Sequence, residues 1–288
     1  MKELLNYLNI AKSSYYYTIS LYNKEDKDLL VKDKITTIFN ENNKRYGYRR
    51  ITLELKNQGI IVNHKKVKKL MGILGLFGIT PKAKYRSYKD DMNGTVPNLL
   101  LDKVIDEEKH KTKYKQNFKT TKPNEKWTTD ISEFHIKAGK VYLSPILDMY
   151  DDSIVSYNIS ITPNFDQIKD MLSKAFEVNP NLDGLIFHSD QGWQYQMEPY
   201  HKLLRDKGII QSMSRKGNCM DNGIMESFFG KLKNEMFYGH EYEFDTIDEL
   251  MKSIDEYIYY YNNKRIKVKN KGLSHIIYRQ QSLNRLSL

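Results

Sequence analysis

Cysteine is almost missing from this chain: Cys219 is the only one in 288 residues. An internal disulfide framework is thereby excluded, as is any zinc site built on cysteine pairs. Long apolar runs are missing as well. No uninterrupted hydrophobic stretch approaches the roughly 18 residues of a bilayer span. The opening "MKELLNYLNIAKSSYYY" has neither the apolar region nor the small-residue cleavage site of a secretory signal. A cytoplasmic protein with no membrane partner is expected. Acidic residues are in deficit, 36 against 46 Lys and Arg, which leaves a net charge of +10 and a pI near 9.2. That excess points to a polyanion, either a membrane surface or nucleic acid, and charge alone does not choose between them or exclude a basic surface that only aids solubility.

What is present suffices for one large domain and a small one: hydrophobic residues make up 40% of the chain, and there are 22 tyrosines. Residues 1–80 read as a small helical region. "DLLVKDKITTIFNEN" spaces Leu29, Ile35, Ile38 and Phe39 for one buried stripe. A helix near Arg49 to Asn57 follows, then a turn at Gln58 and Gly59. Asn63 is placed to cap a second helix ending near Gly75. Val67, Leu70, Met71 and Leu74 face inward on that helix, while Lys65, Lys66, Lys68 and Lys69 crowd its outer surface. Such a lysine face is either merely solvated or, in helix-turn-helix geometry, laid against DNA. Residues 81–125 read as a basic linker, because "EEKHKTKYKQNFKTTKPNEK" has seven lysines, little apolar content and no usable periodicity.

Residues 126–288 change character. "KWTTDISEFHI", "KVYLSPILDMY" and "SIVSYNISI" are three strand-like runs. A helical "NFDQIKDMLSKAFEVN", a short strand "GLIFHSD", a helix-like "QMEPYHKLLRDKG" and a strand "IIQSMS" come next. The expectation is an α/β domain, a mixed sheet with flanking helices. A last amphipathic helix through Ile247, Leu250, Met251, Ile254, Tyr257, Ile258 and Tyr261 precedes the basic tail "NNKRIKVKNKG", in which Arg265 is a candidate phosphate contact.

Three acids stand where an apolar framework would hold them: Asp130 in the first strand run, Asp190 just past a later one, and Glu226 inside a helix. At about 100° per residue, Asn222, Glu226 and Lys233 share one face of that helix, beside an apolar stripe of Met225, Phe228, Phe229, Leu232 and Met236. Carboxylates converging at a sheet edge repel one another, so such a site binds either protons or divalent cations. Oxygen-only ligands favour Mg2+ or Mn2+ over zinc. Asp148, Asp151 and Asp152 read as turn carboxylates and Cys219 as a packed thiol. His188 is either a support for the acids or a packed strand-end histidine.

From "RYGYRRI" to "YNNKRIKVKNKGL" the chain resembles the integrase-core transposases encoded by the second reading frame of bacterial insertion sequences, relatives of retroviral integrases. "WTTDISEF", "HSDQGWQY" and "QSMSRKGNCMDNGIMESFFGKLKNE" occur in that family's order, and 35 residues separate Asp190 from Glu226, as in its DDE pattern. The resemblance implies a ribonuclease H-like fold with Asp130, Asp190 and Glu226 as a metal-binding catalytic triad. It implies two metal ions, DNA strand cleavage followed by strand transfer, and a preceding helix-turn-helix unit. Expected partners are double-stranded DNA (the element's terminal inverted repeats and the target), further copies of the chain in the active complex, and the product of an upstream reading frame. Association with the nucleoid follows. Lys233 and Asn222 are carried over as DNA-contact candidates, with a second role for Asn222 in orienting Glu226. "YQM" at 195–197, "DNG" at 221–223 and His275 depart from the family pattern. A metal nuclease without strand joining, and a non-catalytic DNA-binding regulator, are the alternative readings.

Overall fold

The computed structural model describes residues 2–8, 10–22, 26–79, 96–106, 111–215 and 219–286. They fall into two compact units, Met1–Gly78 and Ile79–Leu288. Among the described residues no helix is long and apolar enough to cross a membrane.

The first unit is all helix: α1 (Lys2–Tyr7), α2 (Lys12–Tyr22), α3 (Leu29–Glu41), α4 (Tyr48–Asn57) and α5 (His64–Ile73). Ile35, Ile38 and Phe39 of α3 meet Ile51 and Leu55 of α4 and Val67, Leu70 and Met71 of α5 in a shared core. The turn between α4 and α5 is set locally. Gly59 takes φ +81°, a conformation that disfavours any side chain, and the Asn63 side chain accepts the Lys65 N–H at 2.8 Å to cap α5. Leu29, expected in the buried stripe, is 56% exposed. It is the first residue of α3, more than a turn and a half before the first buried residue, Ile35.

The second unit is built on a mixed six-stranded sheet. Its strands are β3 (Lys126–Thr129), β4 (Ser132–Ile136), β5 (Gly139–Asp148), β6 (Ile154–Ser160), β7 (Ile186–Ser189) and β8 (Ile210–Met213). β5 pairs antiparallel with β6 on one side and with both β3 and β4 on the other. β7 and β8 continue the sheet in parallel from β3. Residues of β5 alternate between two cores, as the period of two requires. Val141, Leu143 and Leu147 face α8 (Gly223–Leu232) and α9 (Ile247–Asn263), whereas Ile146 faces α6 (Phe165–Val178) and α7 (Glu198–Arg205).

The run "KWTTDISEFHI" is one strand by register but two by hydrogen bonding, interrupted at Asp130 and Ile131. Met149 N–H donates to the Lys126 carbonyl, which makes the odd-numbered residues of β5 the ones that bond toward β3 and β4. The residue facing Asp130 in that alternation is Pro145, which has no N–H to donate. The ladder lapses there. Instead the Asp130 carboxylate turns back to accept the Ile131 N–H at 2.7 Å.

Two segments differ from the sequence reading. The supposed linker contains an antiparallel hairpin, β1 (Leu101–Asp106) and β2 (Lys111–Gln116). It is tied to the sheet domain by Leu99 N–H to Ser212 Oγ and by burial of Leu100. An exposed two-stranded ribbon needs no apolar face, so "KTKYKQ" alternates lysine with Thr, Tyr and Gln and hides its period of two. Residues 80–95 of that segment lie outside the described residues. The basic tail is also structured: β9 (Ile266–Lys267) and β10 (Leu273–Ser274) pair, and α10 (His275–Leu286) follows. The Nη1 group of Arg279 on α10 donates to both Asp148 and Asp151, and Nη2 donates to Asn124. His275 is buried and stacked on Tyr261, its Nδ1 2.7 Å from the Asp151 carbonyl. Burial pushes its pKa down to about 3, so at neutral pH Nδ1 carries the donated proton and the ring is uncharged.

Arg265 is not a phosphate contact. Its side chain is 3% exposed and makes a two-pronged pair with Glu235, at 2.6 Å for the shorter prong, while Tyr257 also donates to Glu235. The expected consequence of Arg265→Ala is a folding defect. Leaving Glu235 buried without its countercharge costs about 3–5 kcal/mol, measurable as a lower urea midpoint than Lys264→Ala shows.

Candidate active site

Parallel strands carry side chains in register, and the pairing of β3 with β7 matches Lys126 to Ile186, Trp127 to Phe187 and Thr128 to His188. Continued two residues further, that register sets Asp130 beside Asp190, at a strand spacing of about 4.8 Å. Both acids sit at the carboxyl ends of their strands, where open α/β sheets bind ligands. Each is half-buried. Each uses Oδ1 to accept a backbone N–H of its own turn, from Ile131 in one case and Gly192 in the other, at 2.9 Å for the latter. Oδ2 of both is left for another ligand.

Glu226 comes from the helix packed over this face. Asn222, one turn earlier, accepts from Thr128 Oγ1 and donates through Nδ2 to the Thr129 carbonyl at 3.1 Å. From Asn222 to Glu226 the helix rises about 6 Å, and from Thr128 to Asp130 the strand advances about 6.6 Å. Glu226, one turn on from this latch, is near enough for its charge to act on Asp130. Asn222 is 4% exposed and bonded to β3 through both its oxygen and its nitrogen, so the expected DNA contact is replaced by a positioning bond, made to β3 rather than to Glu226 itself.

The electrostatics follow. Burial, then the charge of Asp190 and then that of Glu226, push the Asp130 pKa up to about 7, against the Ile131 N–H and Lys233. Burial also raises Asp190, against the Gly192 N–H. Lys233 lies where α8 loosens into a π-helical turn, Lys233–Phe237, over the Phe134 ring with Nζ 2.9 Å from the Glu133 carbonyl. Burial lowers its pKa, while the Glu133 and Asp130 charges oppose that. It is half-buried on the protein rather than extended into solvent. Among the described residues, no three His, Cys, Asp or Glu side chains already stand in a metal-holding arrangement. The donor chemistry nevertheless fits a hard divalent cation: two adjoining carboxylates, a third within electrostatic reach, and no nitrogen or sulfur ligand.

The other candidates separate cleanly. His188 is fully buried, with Nδ1 2.9 Å from Ser212 Oγ and Nε2 3.0 Å from Ser214 Oγ. Burial lowers its pKa to about 4, so it is a neutral packing residue. Asp148 and Asp151 bind Arg279, and Asp152 pairs with Lys267. Lys216 and the Cys219 side chain lie outside the described residues. Lys65, Lys66, Lys68 and Lys69 are exposed on α5. Lys66 pairs with Asp28 at 2.5 Å, and Lys68 stands over the Tyr48 ring.

The residue that sequence reasoning missed is Asp221. It is fully buried and accepts from Asn98 Nδ2, Gln116 Nε2 and three groups of Arg215. Burial pushes its carboxyl up, but the Arg215 bonds outweigh that and hold its pKa below the ordinary value. It fastens the end of the hairpin to the start of α8, and no periodicity in the sequence marks such a hub. A cleft of about 540 Å³ opens beside it, between Gln116 and Phe118 on one side and Gly223, Ile224 and Glu226 on the other. The lining includes neither Asp130 nor Asp190, so the cleft flanks the carboxylates.

Asp130 keeps its proton to higher pH in the fold than in the unfolded chain. Its contribution to stability is therefore full below about pH 4 and is lost as pH rises toward 7. Asp130→Asn removes that loss. In EDTA its melting temperature should exceed that of the wild type at pH 8, and the difference should vanish near pH 4. Adding Mg2+ at pH 8 should raise the wild-type midpoint and leave Asp130→Asn nearly unmoved.

Comparison with known proteins identifies the family. Two models described as "Integrase core domain" match residues 120–219 and 226–283, and one described as "HTH-like domain" matches residues 25–84. The putative transposase InsK for insertion sequence element IS150 of Escherichia coli is 44% identical over 98% of this chain and 94% of its own length. An uncharacterized transposase-like protein of Haemophilus influenzae is 48% identical over 81% of this chain and all of its own. Among solved structures, the HTLV-2 integrase catalytic core domain in complex with magnesium aligns with 56% of this chain and 99% of that one, at 15% identity and a TM-score of 0.46. With its integrase core and its HTH-like unit, the chain belongs to the insertion-sequence transposases and is a DDE-type enzyme of DNA transposition.

Proposed function

We propose that Asp130, Asp190 and Glu226 are the acids of that DDE chemistry, and that together they hold Mg2+ or Mn2+, two ions in the working complex. The observation that carries this reading is the strand register that sets two half-buried carboxylates side by side, with Glu226 close enough to raise the pKa of Asp130. Asp130 and Asp190 are fixed by bonds to their own backbone, and Glu226 completes the set on a longer side chain. The bound cations would lower the pKa of the attacking water or 3′-hydroxyl and neutralise the leaving oxygen. Asn222 keeps α8 in register with β3. Lys233, within the field of Asp130, offsets negative charge as a phosphate approaches.

The substrate is double-stranded DNA: the element's terminal repeats and a target. Two ends need two such sites, so the active complex contains at least two copies of the chain. The exposed lysines of α5 supply phosphate contacts for the helix-turn-helix unit. The product of an upstream reading frame is a further partner on the strength of the resemblance alone. Action on the cytoplasmic nucleoid follows from the substrate.

Asp190→Asn should give no nicked and no joined product on labelled end duplexes in Mg2+, while fluorescence anisotropy shows DNA bound at least as tightly. Normal joining by that variant would refute the assignment. Removing Lys68 or Lys69 should weaken duplex binding for all sequences and reduce the slope of log affinity against log salt by about 0.9 for each lost phosphate contact.

A further inference from the structure

The turn that follows Asp190 is bound from several directions. Its Gly192 N–H holds the Asp190 carboxylate, and the Tyr195 N–H bonds to the Gly192 carbonyl. Gln191 Nε2 donates to the Ser214 carbonyl, and Gln196 Nε2 donates to that of Gln191. The Tyr195 carbonyl accepts from Gln211 Nε2 at 2.8 Å and lies 3.2 Å from His201 Nε2. Gln194 and Tyr195 are buried beneath it. A Cβ on residue 192 would meet Gln194 Oε1 at 2.9 Å and Asp190 Oδ1 at 3.0 Å, so the turn is closed up to the limit that glycine allows. Out of this fixed frame one large apolar side chain points to solvent: Trp193, 56% exposed. Three residues cannot span more than about 11 Å, so the backbone of Trp193 lies beside the carboxylate site, within reach of its side chain.

Single exposed apolar residues are common and by themselves mean nothing. Trp193 differs in where its backbone stands and in how firmly the turn that carries it is held. An exposed aromatic face presented from a fixed turn beside a site of phosphoryl transfer is what a nucleobase stacks on, and because every base has a π-face the interaction tolerates sequence. Resting on the DNA substrate argued above, we propose that Trp193 stacks on a base next to the reacting phosphate, one that is unpaired or displaced from its neighbour. That base comes either from the element end or from the target.

The chain has two tryptophans, and the other, Trp127, is buried with Nε1 bonded to Asn124. Emission from an exposed indole is therefore Trp193's, and Trp193→Phe supplies the background of Trp127. The full chain is titrated with an end duplex and, separately, with an unrelated duplex, each with and without an unpaired 3′ overhang, while anisotropy of a label on the DNA reports binding. Stacking is expected to quench the wild-type indole and shield it from acrylamide, with no change in Trp193→Phe. The duplex that produces the quench identifies which DNA supplies the base. Joining in Mg2+ should fall about ten-fold or more in Trp193→Ala and recover in Trp193→Phe. Anisotropy that rises while indole emission and acrylamide access stay constant would overturn the stacking proposal and leave the DNA substrate standing. No rise in anisotropy with any duplex would overturn both.

Discussion

A ladder of backbone hydrogen bonds holds two like charges next to each other. The parallel pairing of β3 with β7 lies in the middle of the sheet, between a core packed by α6 and α7 and another packed by α8 and α9. Its register cannot slip by one residue without turning Trp127 and Phe187 out of their core. Asp130 and Asp190 are therefore neighbours whether or not their charges favour it, and the repulsion is left to be relieved by a proton or a cation. Neighbouring residues accommodate that constraint: Pro145 interrupts the ladder where Asp130 turns outward, and Asn222 ties the start of α8 to β3.

Much of this was legible in the sequence because it rests on local pattern. The caps and turn of the helix-turn-helix unit, the run of strands and the face shared by Asn222 and Glu226 all follow from spacing and residue type. What escaped was decided by partners distant in sequence. Arg265 reads as a tail cation until Glu235, on a separate turn, is seen to enclose it. Asn222 reads as a polar contact for DNA until Thr128 is seen to bond to it. The hairpin escaped because its alternating residue is lysine, whose long stem makes a solvated ribbon look like linker. α10 escaped because the tail before it is basic, and its one decisive residue, Arg279, answers acids more than a hundred positions earlier.

The two faces of α8 divide its work. Met225, Phe228, Phe229 and Leu232 sink into the core, which fixes the axis, while the bonds of Asn222 to β3 help fix how far along that axis Glu226 stands. Packing is forgiving of small slides, and a pair of buried hydrogen bonds is not. The hub at Asp221 extends the same control outward, so the hairpin, the loop after β8 and the first turn of α8 are held as one piece.

The Arg279 bridge bears on how the protein is made. A ribosome delivers Asn124 and the two acids Asp148 and Asp151 long before it delivers the guanidinium that neutralises them, 155 positions after the asparagine. Until then the sheet has a pair of carboxylates to bury with only the N–H groups of Asn124, Tyr150 and Ser153 to hold them and no countercharge from Arg279. The sheet is thus stabilised only once α10 has docked, so the far end of this domain governs the closing of strands made much earlier.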